Sequence, residues 1–254
     1  MNFNPFSLSG KTIVVSGASS GIGKQCAIDC SKMGAKVVLL ARNEQRLEET
    51  QGQMVGDGHL VFCLDLTDFS LVEKTVKTIV AKVGPVDGVI NCAGISTTIS
   101  LKLTKTETME NFFHTNVYSA IALSKFFCKR GNINKTGASI VFLSSIMGLV
   151  GEKGKSLYSM TKGALLSAAR SLACEYAERN IRFNCISPGV VITPINQNLP
   201  HISNPTQRNE LEARHLLGFG EATDVSNACI FLMSDASRWI TGQNLIVDGG
   251  YTVR

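Results

Sequence analysis

Tyr158 and Lys162 stand four residues apart in the stretch YSMTK. A free tyrosine loses its proton near about pH 10 and a free lysine near about 10.4. On a helix the two would share one face, with roughly 5–6 Å between Cβ atoms. A neighbouring ammonium favours phenolate over phenol and would pull the tyrosine's pKa down. The spacing is common in helices and does not mark a site by itself. Thirteen residues before Tyr158, however, lies Ser145, preceded by Ser144, at the end of the apolar run SIVFLS. A hydroxyl placed there could hydrogen-bond a carbonyl oxygen while the phenol protonates it.

Such a constellation needs elements that bring it together. The short apolar runs 12–16, 36–40, 60–64, 88–91, 139–144, 181–186 and 244–247 read as strands covered on both faces. Helical patterns fill 21–33, 43–53, 68–83, 107–130, 156–179 and 222–234. This alternation predicts right-handed crossovers and an α/β fold: one doubly wound Rossmann domain over 1–254, a seven-stranded parallel sheet with helices on both faces. The ends of its strands would form the ligand crevice, which places Ser144 and Ser145 there. Segment 193–221 breaks the rhythm with Pro194, Pro200 and Pro205, and reads as a substrate-binding lid or a surface excursion.

SGASSGIG, residues 16–23, joins the first strand to the first helix. Gly17 permits the tight turn, Gly21 leaves room for a phosphate, and Gly23 lets the helix approach the sheet. The helix N-terminus offers free N–H donors to a pyrophosphate, with hydroxyls from Ser16, Ser19 and Ser20 beside it. Ile22 completes the loop as a cofactor contact. The second strand ends in Ala41 and Arg42, with no acid to repel a 2′-phosphate and a guanidinium to grip one. NADP(H) is therefore expected over NAD(H); the alternative is an ordinary surface arginine. Asp65, followed by Leu66, is a candidate acceptor for the adenine amino group. Its alternative is a helix N-cap, a position Asp68 could fill instead.

The chain has 254 residues, 44% apolar and 18% charged, which suits a folded core and argues against disorder. A net charge of +5 is too small to suggest nucleic-acid binding. The eight cysteines form no C-x-x-C pair and the four histidines are scattered, so no metal site and no histidine triad are expected. The cysteines read as small hydrophobes in a reducing compartment. With no signal-peptide pattern and no run of about 20 apolar residues, a soluble, cytoplasmic protein without membrane contact is expected.

Taken together with NCAG (91–94), HTNVYSA (114–120), SPGVVIT (187–193) and ITGQNLIVDGG (240–250), these motifs resemble the short-chain dehydrogenase/reductase family from Gly17 to Gly250. The tail most resembles that of the 3-oxoacyl-acyl-carrier-protein reductase branch, and many sugar, polyol and steroid dehydrogenases share it. The resemblance implies a ketone–alcohol interconversion by hydride transfer. Tyr158 would be the acid/base, Lys162 would bind the nicotinamide ribose, Ser145 would polarise the carbonyl, and Asn116 would hold a water in a proton relay. Asn91, Ala93 and Gly94 would line the adenosine and central sheet; Pro188, Gly189, Val191 and Thr193 would close over the nicotinamide. The departures are Cys92 in place of a second asparagine, Ser16 in place of threonine, and Ser20 in the slot where many NADP users carry a basic residue. The expected substrate is a small carbonyl or alcohol, free or bound to a carrier. A carrier protein could meet Lys125, Lys129, Arg130, Lys135 or Arg179, which read equally as a solvated face. A homotetramer or homodimer is implied, and a catalytically silent NADP-binding sensor is the rival from another class.

Overall fold

The computed structural model describes residues 4–253. Its strands are β1 (Thr12–Ser16), β2 (Lys36–Ala41), β3 (Leu60–Cys63), β4 (Gly88–Asn91), β5 (Ala138–Leu143), β6 (Ile181–Pro188) and β7 (Asn244–Val247). All pair in parallel, in the order β3-β2-β1-β4-β5-β6-β7. The chain winds outward from β1 on one side and from β4 on the other. A crevice opens beyond the carboxyl ends of strands where the winding reverses.

Side chains of each strand alternate between two cores. Val14, Val38 and Leu40 pack beneath α3 (Phe69–Val83), α5 (Ser119–Phe127) and α6 (Ser156–Tyr176). Ile13, Val15, Val37 and Leu39 face α1 (Gly21–Lys32), α2 (Glu44–Gln51) and α9 (Ala222–Met233). Burial on both faces explains why the inner strands read as continuous apolar runs. The edge strands β3 and β7 differ from that expectation: their residues are half-buried or exposed, because an edge lacks one neighbour.

Two stretches depart from the sequence reading. The expected helix over 107–130 is divided into α4 (Thr106–Phe113), a π turn over His114–Tyr118, and α5. The widened turn carries Asn116, and such turns recur at functional sites. Segment 193–221 is not irregular throughout. It holds α7 (Pro200–Ser203) and α8 (Pro205–Glu212), the latter started by the Asn204 side chain accepting from the Gln207 N–H, with Pro205 in the first turn. His215 ties the segment down. Its Nδ1 donates to the Leu211 carbonyl and its Nε2 accepts from the Val190 N–H.

Among the described residues no helix is long and apolar enough to cross a membrane. Cysteines 26, 30, 128, 185 and 229 are buried as expected; Cys63 and Cys174 are exposed, and all eight thiols are free.

Candidate active site

The core-facing stripe of α6 runs through Leu157, Thr161, Leu165, Ala169 and Ala173, one turn apart, with Lys162 beside it. That register explains how a lysine becomes only 6% exposed. Its Nζ donates to the Leu143 carbonyl at 2.7 Å and lies 5.6 Å from the centre of the Tyr158 ring. Ser144 donates to the Lys162 carbonyl at 2.9 Å, clamping the end of β5 to α6. Ser145 accepts from the Met147 N–H, and its side chain stands beside the Tyr158 phenol where both line the same two cavities. Asn116 is committed to backbone and helix: Oδ1 accepts from the Ile95 N–H at 2.7 Å, and Nδ2 donates to the Ile95 carbonyl and to Thr161 Oγ1, both at 3.0 Å. Gly94 closes the group. A Cβ there would lie 3.2 Å from Asn116 Oδ1 and 3.6 Å from Lys162 Nζ.

Desolvation, which residue spacing does not reveal, is the largest influence on the phenol's acidity. Burial pushes the Tyr158 phenol up to about 12, and the neighbouring Ser145 hydroxyl offsets this only partly. Lys162 does not acidify it, because its ammonium rests on the Leu143 carbonyl and against the ring face. Burial also brings Lys162 down to about 8. The unfolded chain therefore binds the additional proton between that pH and the ordinary lysine value of 10.5, so stability rises with pH across the window. Urea titrations from pH 7 to 9.5 should show this rise in the wild type and a flatter profile in Lys162→Met. An unchanged slope in the variant would mean that the ammonium is well hydrated.

Three cavities adjoin along the crevice. The first, about 370 Å³, is lined by Gly17, Ser19, Ser20, Gly21, Ile22 and Gly23 from the loop and by Arg42, Asp65 and Leu66 from the strand ends. Ala93, Gly94 and Thr193 complete the opposite wall. The second, about 110 Å³, joins Ser145, Tyr158 and Lys162 to Pro188, Gly189, Val191 and Thr193. A third of about 90 Å³ shares Ser145 and Tyr158 and runs beneath Ile195, Asn196, Leu199 and Leu211 of segment 193–221. A larger cavity of about 710 Å³ lies elsewhere, by Ser139, Arg182 and Trp239. None of the chemical groups above enters it, and its Arg182 is already spent on the carbonyls of Leu232 and Ile240.

Two sequence-predicted site residues line none of these adjoining cavities: Asn116, whose amide is committed as described above, and Asn91. The Asn91 amide donates instead to Ser124 and the Val141 carbonyl, and its Oδ1 has no partner among the described residues. It sits inside the sheet, paired in register with Ser16. Asp65 is not the cap of α3. Asp68 takes that role, and Asp65 accepts from the Thr67 N–H and hydroxyl at the cavity wall. The Thr67 N–H chiefly holds its carboxyl below the usual range, with Arg42 adding to the effect. The sequence reading missed Arg46, which lines the first cavity beside Arg42. Its signal was available, since it follows Arg42 by four residues.

The first cavity fits a dinucleotide. Ser20 leads into α1 without a side-chain cap, and no acid occupies the first turn, so the N–H groups there remain for an anion. A Cβ on Gly21 would meet Thr193 at 3.2 Å, and Gly17 has a φ of +68°. The cradle has room for a phosphate only because these positions lack side chains.

Comparison with known proteins agrees with this geometry. A family model described as enoyl-(acyl carrier protein) reductase matches residues 17–252. A human protein named 3-oxoacyl-[acyl-carrier-protein] reductase is 36% identical over 241 residues, covering 94% of this chain and 97% of its own. An Arabidopsis thaliana tropinone reductase homolog is 36% identical over 258 residues, covering 98% and 92% respectively. Among solved structures, one described as an NAD(P) dependent gluconate 5-dehydrogenase from Beutenbergia cavernae, with NADP bound at low occupancy, has a TM-score of 0.91 at 28% identity. It covers 99% of this chain and 100% of its own. The motifs, the topology and these relatives lead to one conclusion: the chain belongs to the short-chain dehydrogenase/reductase family and is an oxidoreductase acting on CH–OH groups.

Proposed function

We propose that the protein interconverts a ketone and a secondary alcohol with NADP(H), using Ser145, Tyr158, Lys162 and Asn116. The observation that carries this reading is the convergence of Ser145 and Tyr158 at the junction of the second and third cavities, with Lys162 buried behind them. When bound, the nicotinamide cofactor exchanges a hydride with the substrate carbon. Ser145 then orients the substrate oxygen and Tyr158 gives it a proton. A phenol held near about 12 is protonated at neutral pH, which suits donation to a ketone. Lys162 would hold the ribose, and Asn116 keeps the loop at Ile95 fixed to α6 through Thr161. Segment 193–221 acts as the lid over the third cavity.

Arg42 and Arg46 support NADP(H) over NAD(H), since two guanidinium groups border the cavity beyond Asp65. Arg42→Ala should raise the KM for NADPH by about tenfold to hundredfold while leaving NADH use nearly unchanged. Initial rates with each nucleotide measure this, and equal losses with both would refute the assignment. For the substrate, the reductase relatives favour a 3-oxoacyl group, free or on a carrier. The gluconate dehydrogenase neighbours favour a sugar or polyol as the second reading. A panel of ketones and alcohols followed at the nicotinamide absorbance decides between them. A homotetramer is proposed on the family reading, supported by the exposed Tyr118 on the π turn and Met160 on α6.

A further inference from the structure

Buried charges in folded proteins are nearly always paired. Asp29 obeys this rule: it meets Lys32 at 3.0 Å and accepts from Gln25 and Ser226. Lys155 and Lys162 are also buried, at 5% and 6% exposure, and neither forms an ion pair among the described residues. Both line the crevice. Lys162 belongs to the catalytic group. Lys155 has no role in the chemistry described above.

Lys155 immediately precedes α6, three residues before Tyr158, so the two side chains project from neighbouring positions of the first turn. An ammonium carries three donors. One reaches the Thr97 carbonyl at 3.2 Å, and no other protein acceptor meets its Nζ among the described residues. The side chain lines the third cavity together with Ser145 and Tyr158. Glu152 is the acidic residue lining the same cavity; it attracts Lys155 without closing an ion pair. Desolvation lowers the lysine's pKa, as expected for a cation whose water has been removed and not replaced by a counter-ion.

We propose that Lys155 is a specificity-determining residue that receives a carboxylate carried by the substrate. This assignment rests on the ketone-reducing reading of the site. With the ketone oxygen between Ser145 and Tyr158, the far end of a short oxoacid enters the third cavity, and its carboxylate takes the two remaining donors of Lys155. The ligand thus supplies the counter-charge that the protein withholds. A cavity of about 90 Å³ suits a short acid.

The test uses the full-length protein with 3-oxobutanoate, 4-oxopentanoate and 5-oxohexanoate, each beside its methyl ester, with NADPH as reductant. The wild type should prefer at least one acid over its ester by about tenfold to hundredfold in kcat/KM. Lys155→Met should abolish that preference through the KM of the acid, leave kcat on the ester little changed, and be partly rescued by Lys155→Arg. Should Lys155→Met fail to fold, Lys155→Gln keeps the tie to Thr97 and must still lose the preference. Esters turned over with no acid preferred would overturn the proposal, and so would equal losses on acid and ester, since those mark a purely structural tie to Thr97. If the wild type reduces no ketone or ester in this series or in the broader panel above, the ketone-reducing reading itself falls and this assignment falls with it.

Discussion

Tyr158→Phe should lose at least about a thousandfold in kcat, because a general acid of this kind contributes about 10²–10⁴ and its removal also leaves Ser145 alone at the substrate oxygen. The fold should survive. The ring is half-buried and keeps its packing, and Ser145 still accepts from the Met147 N–H. The stability cost should be at most about 1 kcal/mol, the net worth of one hydrogen bond. NADPH binding, followed by fluorescence titration, should be little altered, since the first cavity does not include Tyr158. Turnover close to wild type in this variant would refute the mechanism. A collapse of binding and stability together would instead show that the phenol is a structural group.

Gly23→Ala is the second large effect. A Cβ at this position would lie 2.3 Å from the Gly17 carbonyl oxygen and 3.1 Å from Cys92 Cβ. The obstructing atom is backbone, so no side chain can swing away to relieve it. Either α1 moves off the sheet or the glycine turn opens, and each destroys the array of N–H donors in the loop. Overpacking of this severity typically costs about 1–3 kcal/mol or more. NADPH affinity should fall by at least about a hundredfold, equal to about 2.7 kcal/mol. Calorimetric titration and thermal melts read the two losses separately. Gly21→Ala makes an informative comparison, because its Cβ would meet only the Thr193 side chain at 3.2 Å, although its φ of +54° adds strain. Binding by Gly23→Ala as tight as wild type would mean that the loop does not cradle the phosphates.

The periodic and local features were legible in the amino-acid sequence. Strand positions follow from short apolar runs, and those runs exist because the inner strands are covered twice. The glycine turn and the Tyr158–Lys162 spacing are likewise local: three glycines where a Cβ would crowd neighbouring backbone or the Thr193 side chain, and two side chains one helical turn apart. A linear pattern records such constraints because each depends on neighbours within a few residues. Ser145 was also legible, since the end of a strand in a doubly wound sheet faces the crevice.

What only the tertiary structure decided depends on partners far away in the chain. Asn91 stands in a recognisable motif, yet its amide turns toward Ser124 and Val141, and no local rule predicts which way it faces. Asn116 came to hand through a π turn that apolar periodicity does not reveal. The desolvation that raises the Tyr158 phenol comes from three-dimensional surroundings, and the Lys162 Nζ is taken by the Leu143 carbonyl, neither of which spacing records. Nothing in the residues around Lys155 marks it in the sequence. The Thr97 loop and the segment carrying Leu199 and Leu211 enclose it, which makes its charge available to a ligand. Spacing along the chain thus determined the elements and the reactive types, whereas burial and the competition for hydrogen-bond partners, which are properties of three-dimensional neighbours, determined what each group can do.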